Sequence, residues 1–147
     1  MSDAETERVT FDAEVGPLTL IAPAWTREAP AATMLRHLFF GGAVIGGEIE
    51  DLARILGDGR QGRAFCGRAS GNGRSAARSA IEALARAARP LKWERRLLVV
   101  IVAPDLAQID AAAETVAQAC SPHTDIAFGV IGGPDAQVCL VVPDGPS

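Results

Sequence analysis

Lysine is almost missing from this chain of 147 residues: Lys92 is the only one, and arginine carries the rest of the positive charge. With alanine also abundant, that usage fits the codon bias of a GC-rich bacterium. Aromatic residues are scarce, at 5%, within an ordinary hydrophobic content of 48%. No apolar run comes near the ~20 residues that a membrane-spanning helix needs, so no membrane association is expected. Met1 to Arg8 is polar and acidic and has no feature of a secretory leader. The three cysteines, Cys66, Cys120 and Cys139, lack C-x-x-C spacing and lie in apolar patterns. This predicts reduced, packed thiols in a cytoplasmic protein. His37 and His123 have no Cys, His or Asp at metal-ligand spacing, so no metal site is expected.

The net charge of −4 argues against nucleic acid as a partner, but the average conceals segregation. Residues 1–50 hold 3 basic and 8 acidic residues, residues 51–100 hold 11 and 4, and residues 101–147 hold 6 acids and no base. Opposed blocks either steer self-association and docking, or interleave in the fold and neutralise one another.

The length suits one domain that buries roughly two-thirds of its unfolded surface. Residues 1–8 are expected to be disordered. Val9–Phe11 and Leu18–Ile21 flank Gly16-Pro17 as a hairpin candidate. Trp25 to Pro30 reads as a connector, and Ala31 to Phe40 as a helix with Met34, Leu35 and Leu38 on one face. Gly41-Gly42 and Gly46-Gly47 bracket Ala43-Val44-Ile45, which marks a glycine-rich loop. Residues 9–47 thus form an N-terminal extension of a domain at 48–147.

From Glu48 the pattern becomes regular. Ile49, Leu52, Ala53 and Leu56 fall on one helical face, and Gly57 stands where a left-handed residue ends a helix. Gly62 to Ala69 reads as a strand. Arg74 to Ala88 reads as a helix capped by Asn72, stopped by Pro90, and buried at Ala77, Ala80, Ile81, Leu84 and Ala88. Leu97 to Ala103 is apolar throughout, as a strand covered on both faces should be. Asp105, with Gln108 three residues later, opens a helix to Cys120 whose stripe is Leu106, Ile109, Ala113, Val116 and Cys120. Ile126–Ile131 and Gln137–Val142 read as a hairpin around Gly132-Gly133-Pro134-Asp135. The order α-β-α-β-α-β-β predicts an α/β fold, an α+β two-layer sandwich with helices packed on a mixed four-stranded sheet.

Gly67-Arg68-Ala69-Ser70-Gly71-Asn72-Gly73-Arg74, the alanine-rich helix after it and Pro90-Leu91 together resemble the C-terminal domain of the FtsZ/tubulin family. The family shows an acidic loop, a short helix, a strand ending in G-x-A-x-G-x-x-R, an alanine-rich helix and Pro-Leu. Leu98–Ala103 with Pro104-Asp105-Leu106, Ile126-Ala127-Phe128-Gly129 and Val138–Val142 resemble its later strands. The resemblance covers about two-thirds of the chain and implies that family's fold. FtsZ-type GTPases bind nucleotide through a phosphate loop in an N-terminal half. Residues 1–47 are too short for that half and contain no such loop, so a stand-alone domain without a nucleotide cofactor is expected.

In the family an acidic loop, N-x-D-x-x-D, reaches the nucleotide of the neighbouring subunit in filaments. The matching positions here are Gly46, Glu48 and Asp51. Glu48 and Asp51, one helical turn apart, are therefore candidate interface residues. They serve equally well as acids that stabilise a helix N-terminus. Gly71, Asn72, Gly73 and Arg74 have the elements of an anion site, namely free N–H groups, a helix dipole and a guanidinium. They equally suit a strand-to-helix turn. His37 reads as peripheral packing and His123 as an exposed loop residue, while Trp25 and Trp93 suit either the core ends or an interface. No catalytic residue is assigned.

The favoured expectation is a non-enzymatic, FtsZ-C-terminal-like protein. It would assemble with itself as a homo-oligomer or dock on a tubulin-like filament. The second is a small-molecule protein of chorismate-mutase-like layering, binding an anionic metabolite between subunits through Arg60, Arg63, Arg68 and Arg74.

Overall fold

The computed structural model describes residues 6–23, 43–45 and 49–144. Apolar alternation builds the first two strands. In β1 (Thr6–Ala13) Val9 and Phe11 are buried while Arg8, Thr10 and Asp12 are exposed. In β2 (Gly16–Pro23) Leu18, Leu20 and Ala22 are buried, and the two strands pair antiparallel. β1 starts at Thr6, so residues 6–8 are strand and not part of a disordered leader.

The elements that follow are β3 (Ala43–Ile45), α1 (Ile49–Leu56), β4 (Gln61–Ala69), α2 (Gly73–Arg86), β5 (Arg96–Ala103), α3 (Leu106–Ala119), β6 (Asp125–Gly132) and β7 (Ala136–Pro143). They form one mixed sheet in the order β1-β2-β4-β7-β5-β6-β3. The expected four strands are its centre. The sheet is wider than four because the β1–β2 hairpin adds to one edge through parallel pairing of β2 with β4. Ala43–Ile45, expected in a loop, adds a short strand to the other edge by pairing antiparallel with β6. The helix expected at 31–40, with Trp25 and His37, lies outside the described residues.

The expected hairpin of β6 and β7 does not form. β7 crosses to the far side of β5 and pairs antiparallel with both β4 and β5, whereas β6 pairs parallel with β5. Burial explains the choice. All eight residues of β7 are buried, and only the middle of the sheet, covered on both faces, accommodates such a strand.

One face carries α1, which buries Leu52, Ile55 and Leu56 against Leu18, Leu20, Leu98, Val100 and Val141. The other carries α2 and α3 over Leu97, Val99, Ile101, Val138 and Leu140. α1 ends where expected, at Gly57 with φ 69°. α2 lies so close to β4 that a Cβ on Gly67 would stand 2.4 Å from the Ala76 carbonyl oxygen and 2.4 Å from the Ala80 nitrogen. That contact, with the alanines of α2, lets the helix sink onto the sheet. Two assignments to helix stripes fail at the ends. Leu106 is 70% exposed because it opens α3 beyond the sheet, and Ala88 is exposed past the end of α2.

The cysteine expectation is also corrected. Cys66 and Cys139 face each other in the β4–β7 register and form a disulfide, with Cα atoms 4.2 Å apart as in a non-hydrogen-bonded antiparallel pair. A sequence separation of 73 hides this pairing from any local pattern. Cys120 alone is free. No described helix is long and apolar enough to cross a membrane.

Thiol titration of unreduced protein in denaturant is expected to count one thiol per chain, that of Cys120. A count of three would remove the disulfide. Gly67→Val should cost about 1–3 kcal/mol by overpacking, read as a lower midpoint in urea unfolding.

Candidate functional site

The acidic turn is built by α1. Glu50 and Asp51 occupy its first turn, where the helix dipole stabilises carboxylates, and Arg54 follows in its last. Asp51 lies 3.8 Å from Arg54, whose guanidinium also pairs with Asp125 at the start of β6. The hydrogen bond to Asp125 raises the Arg54 pKa above its usual value. Arg96 Nη1 donates to the Arg54 carbonyl oxygen over 3.4 Å, tying the end of α1 to β5. These side chains are roughly half exposed, so each pair contributes no more than about 1 kcal/mol. Glu48, the other acid of the pair, lies outside the described residues.

Beside this turn a cleft of about 420 Å³ opens between the β1–β2 turn and α1. Glu14, Glu50 and Asp58 line it with Arg54 and Arg60, and the exposed Val15 stands at its edge. The cleft was not apparent in the sequence, since its charges come from three separate segments.

At the Gly71–Arg74 turn, N–H groups of the first turn of α2 find partners within the protein. Asn72 Oδ1 accepts from the Ser75 nitrogen at 3.0 Å, and the Asn72 carbonyl accepts from the Ala76 nitrogen at 3.1 Å. The Gly73 nitrogen donates to Gln108 Oε1 at 2.8 Å. Gln108 is in turn held by Asp105, whose Oδ1 accepts from its backbone nitrogen at 2.9 Å. The capping pattern read at Asp105 is therefore half local. Asp105 caps α3 as expected, while the Gln108 side chain caps the neighbouring helix instead. Arg74 remains exposed on α2.

Within one chain the four arginines proposed for a site between subunits are spread along β4 and its flanks. Arg60 lines the cleft before β4, Arg63 pairs with Asp144 at 3.0 Å, and Arg68 and Arg74 lie toward the opposite end of β4. Nine residues of strand separate those ends, on the order of 25–30 Å.

A second cleft, of about 440 Å³, lies at the start of β5 and β6. Lys92, Trp93, Arg95 and His123 line it, and Trp93 is 70% exposed. Behind it Arg89 Nε and Nη2 grip both oxygens of Glu94, at 3.0 and 2.8 Å, and Glu94 is 6% exposed. The fork neutralises Glu94 and fixes the loop between α2 and β5. Among the described residues no group of His, Cys, Asp and Glu is arranged to hold a metal ion.

A mixed sheet crossed by a buried antiparallel strand, with two parallel helices on one face and a short acidic helix on the other, is the architecture of a tubulin-like C-terminal domain. Solved structures agree. FtsZ from M. jannaschii, in a point-mutant form, is similar over 77% of this chain at 16% identity, with a TM-score of 0.63. An FtsZ dimer from the same organism, described as empty, is similar over 76% at 17% identity, with a TM-score of 0.55. The chain spans only 36% and 35% of those two proteins. No protein-family model and no curated protein matches it.

Two measurements check this geometry. Glu94→Ala should cost about 2 kcal/mol in urea unfolding, less than for a fully buried pair because Arg89 keeps 21% exposure. Burial of the Cys120 thiol disfavours its thiolate and pushes its pKa up to about 11. Its alkylation by iodoacetamide in native protein should therefore stay slow through pH 9 and rise toward pH 11. An inflection near the free-thiol value would contradict the burial.

Proposed function

We propose that this domain acts by protein association and not by catalysis, docking on a tubulin-like filament subunit through the surface at the start of α1. The observation that supports it most is the fold shared with FtsZ, one of whose similar structures is a dimer. The residues assigned to the contact are Glu48 and Asp51, with Glu50 and the adjoining cleft as its border. Asp51 suits the role by its position: its side chain is 41% exposed in the first turn of α1, within reach of a partner's cation. Docking of this kind would modulate assembly.

The test is co-sedimentation of the chain with FtsZ polymer, with a Glu48→Ala/Asp51→Ala variant as control. Wild type should enter the pellet and change polymer mass or GTPase rate, and the variant should lose most of that binding. Unchanged polymer and GTPase rate with wild type, or equal pelleting by both proteins, would defeat the proposal. A circular dichroism melt of the variant, expected to match wild type, separates loss of binding from loss of fold.

A further inference from the structure

We infer that the outer face of α2 and α3 is a self-association surface, on which a second copy of this chain packs about a two-fold axis running along the helices. The two helices lie side by side over one sheet face and differ sharply in charge. α2 exposes Arg74, Arg78 and Arg86 against a single acid, Glu82. α3 exposes Asp110 and Glu114 and holds no base at all. None of these six charges forms an ion pair among the described residues. Glu114 accepts only a 3.2 Å hydrogen bond from Gln118. The charge blocks visible in the sequence therefore do not cancel within this layer.

Topology sets the geometry of the pairing. β4 and β5 both run antiparallel to β7, and β6 runs parallel to β5, so α2 and α3 return in the same direction. Their register is fixed at the first turn, where a Cβ on Gly73 would stand 2.1 Å from the Gln108 carbonyl oxygen and 3.3 Å from Ala112 Cβ. Gly73 is thus level with the turn Gln108–Ala112. Five residues further on, Arg78 is level with Glu114 to within about one residue, or about 1.5 Å of rise.

A symmetric face-to-face contact is self-complementary, and two axes in its plane are available. An axis perpendicular to the helices would lay α2 on α2 and α3 on α3, with like charges opposed. An axis along the helices lays α2 of one copy on α3 of the other, parallel and in step, so that Arg78 meets Glu114 twice. The charge pattern selects the second. Beside the charged residues, Ser75 and Ala85 of α2 and Ala107 and Ala117 of α3 are exposed and small, while Leu106 and Gln118 of α3 are the exposed larger side chains. This face is distinct from the acidic turn of α1.

The experiment is light scattering on size-exclusion eluates of the full chain, over a concentration series at low salt and at about 1 M salt, where screening acts within about 3 Å. Wild type should show twice the monomer mass at low salt and dissociate at high salt. Arg78→Glu and Glu114→Arg, each alone, should raise the dissociation constant at least about tenfold. Arg78→Glu/Glu114→Arg in one chain restores opposite charges and should dimerise again. Circular dichroism melts check that each variant is folded, as expected for exposed positions. A wild type monomeric throughout, single variants as dimeric as wild type, or a double variant that stays monomeric would each overturn the inference. Asp51→Ala should leave the mass unchanged, which separates this result from the fate of the filament-docking proposal.

Discussion

β7 is buried at all eight positions, and its place between β4 and β5 governs the molecule. Val138, Leu140 and Val142 enter the core under α2 and α3, while Cys139 and Val141 enter the one under α1. A buried side chain of this size contributes about 1.5–3 kcal/mol, so the strand is held from both faces at once. Its direction opposes that of β4, β5 and β6, which keeps those three parallel. The helices that return between them must then lie side by side on one face, which leaves the other to α1. The two-helix layer, with α1 on the opposite face, follows from where β7 sits.

Local chemistry was legible in the sequence, and long-range pairing was not. Asn72 and Asp105 cap their helices, Gly57 ends α1, and the unbroken apolar run of β5 is covered on both faces, all as their residue types imply. The two caps and the stop at Gly57 depend on neighbours within four residues. Gly132-Gly133-Pro134-Asp135 is a turn signal of the same local kind, and there it misleads. The turn exists, but burial and not the turn chooses the strand's partner. Cys66 with Cys139 and Arg54 with Asp125 meet across more than seventy residues, beyond any periodicity. The clefts were hidden for the same reason, since each gathers residues from separate segments.

The glycine-rich stretch ending at Arg74 shows how one set of residues serves two readings. Its glycines give a strand-to-helix turn, and a turn with free N–H groups is also how phosphate is held. Here the Asn72 and Gln108 oxygens accept from the Ser75 and Gly73 nitrogens, which holds the start of α2 in place. The outer layer of α2 and α3 is charged along its exposed face.

The position of β7 also has a consequence for how the protein is made. It is the last of the seven strands to leave the ribosome, yet it is the one that joins the two halves of the sheet. Until it emerges, β1-β2-β4 and β5-β6 cannot share a hydrogen bond, and the inner edges of β4 and β5 stand open beside apolar faces. Translation at about 5–20 residues per second leaves that gap open on the order of seconds after β5 is complete. Folding must therefore wait for the end of the domain and close over non-local contacts, which is intrinsically slow and exposes the nascent chain to edge-to-edge aggregation.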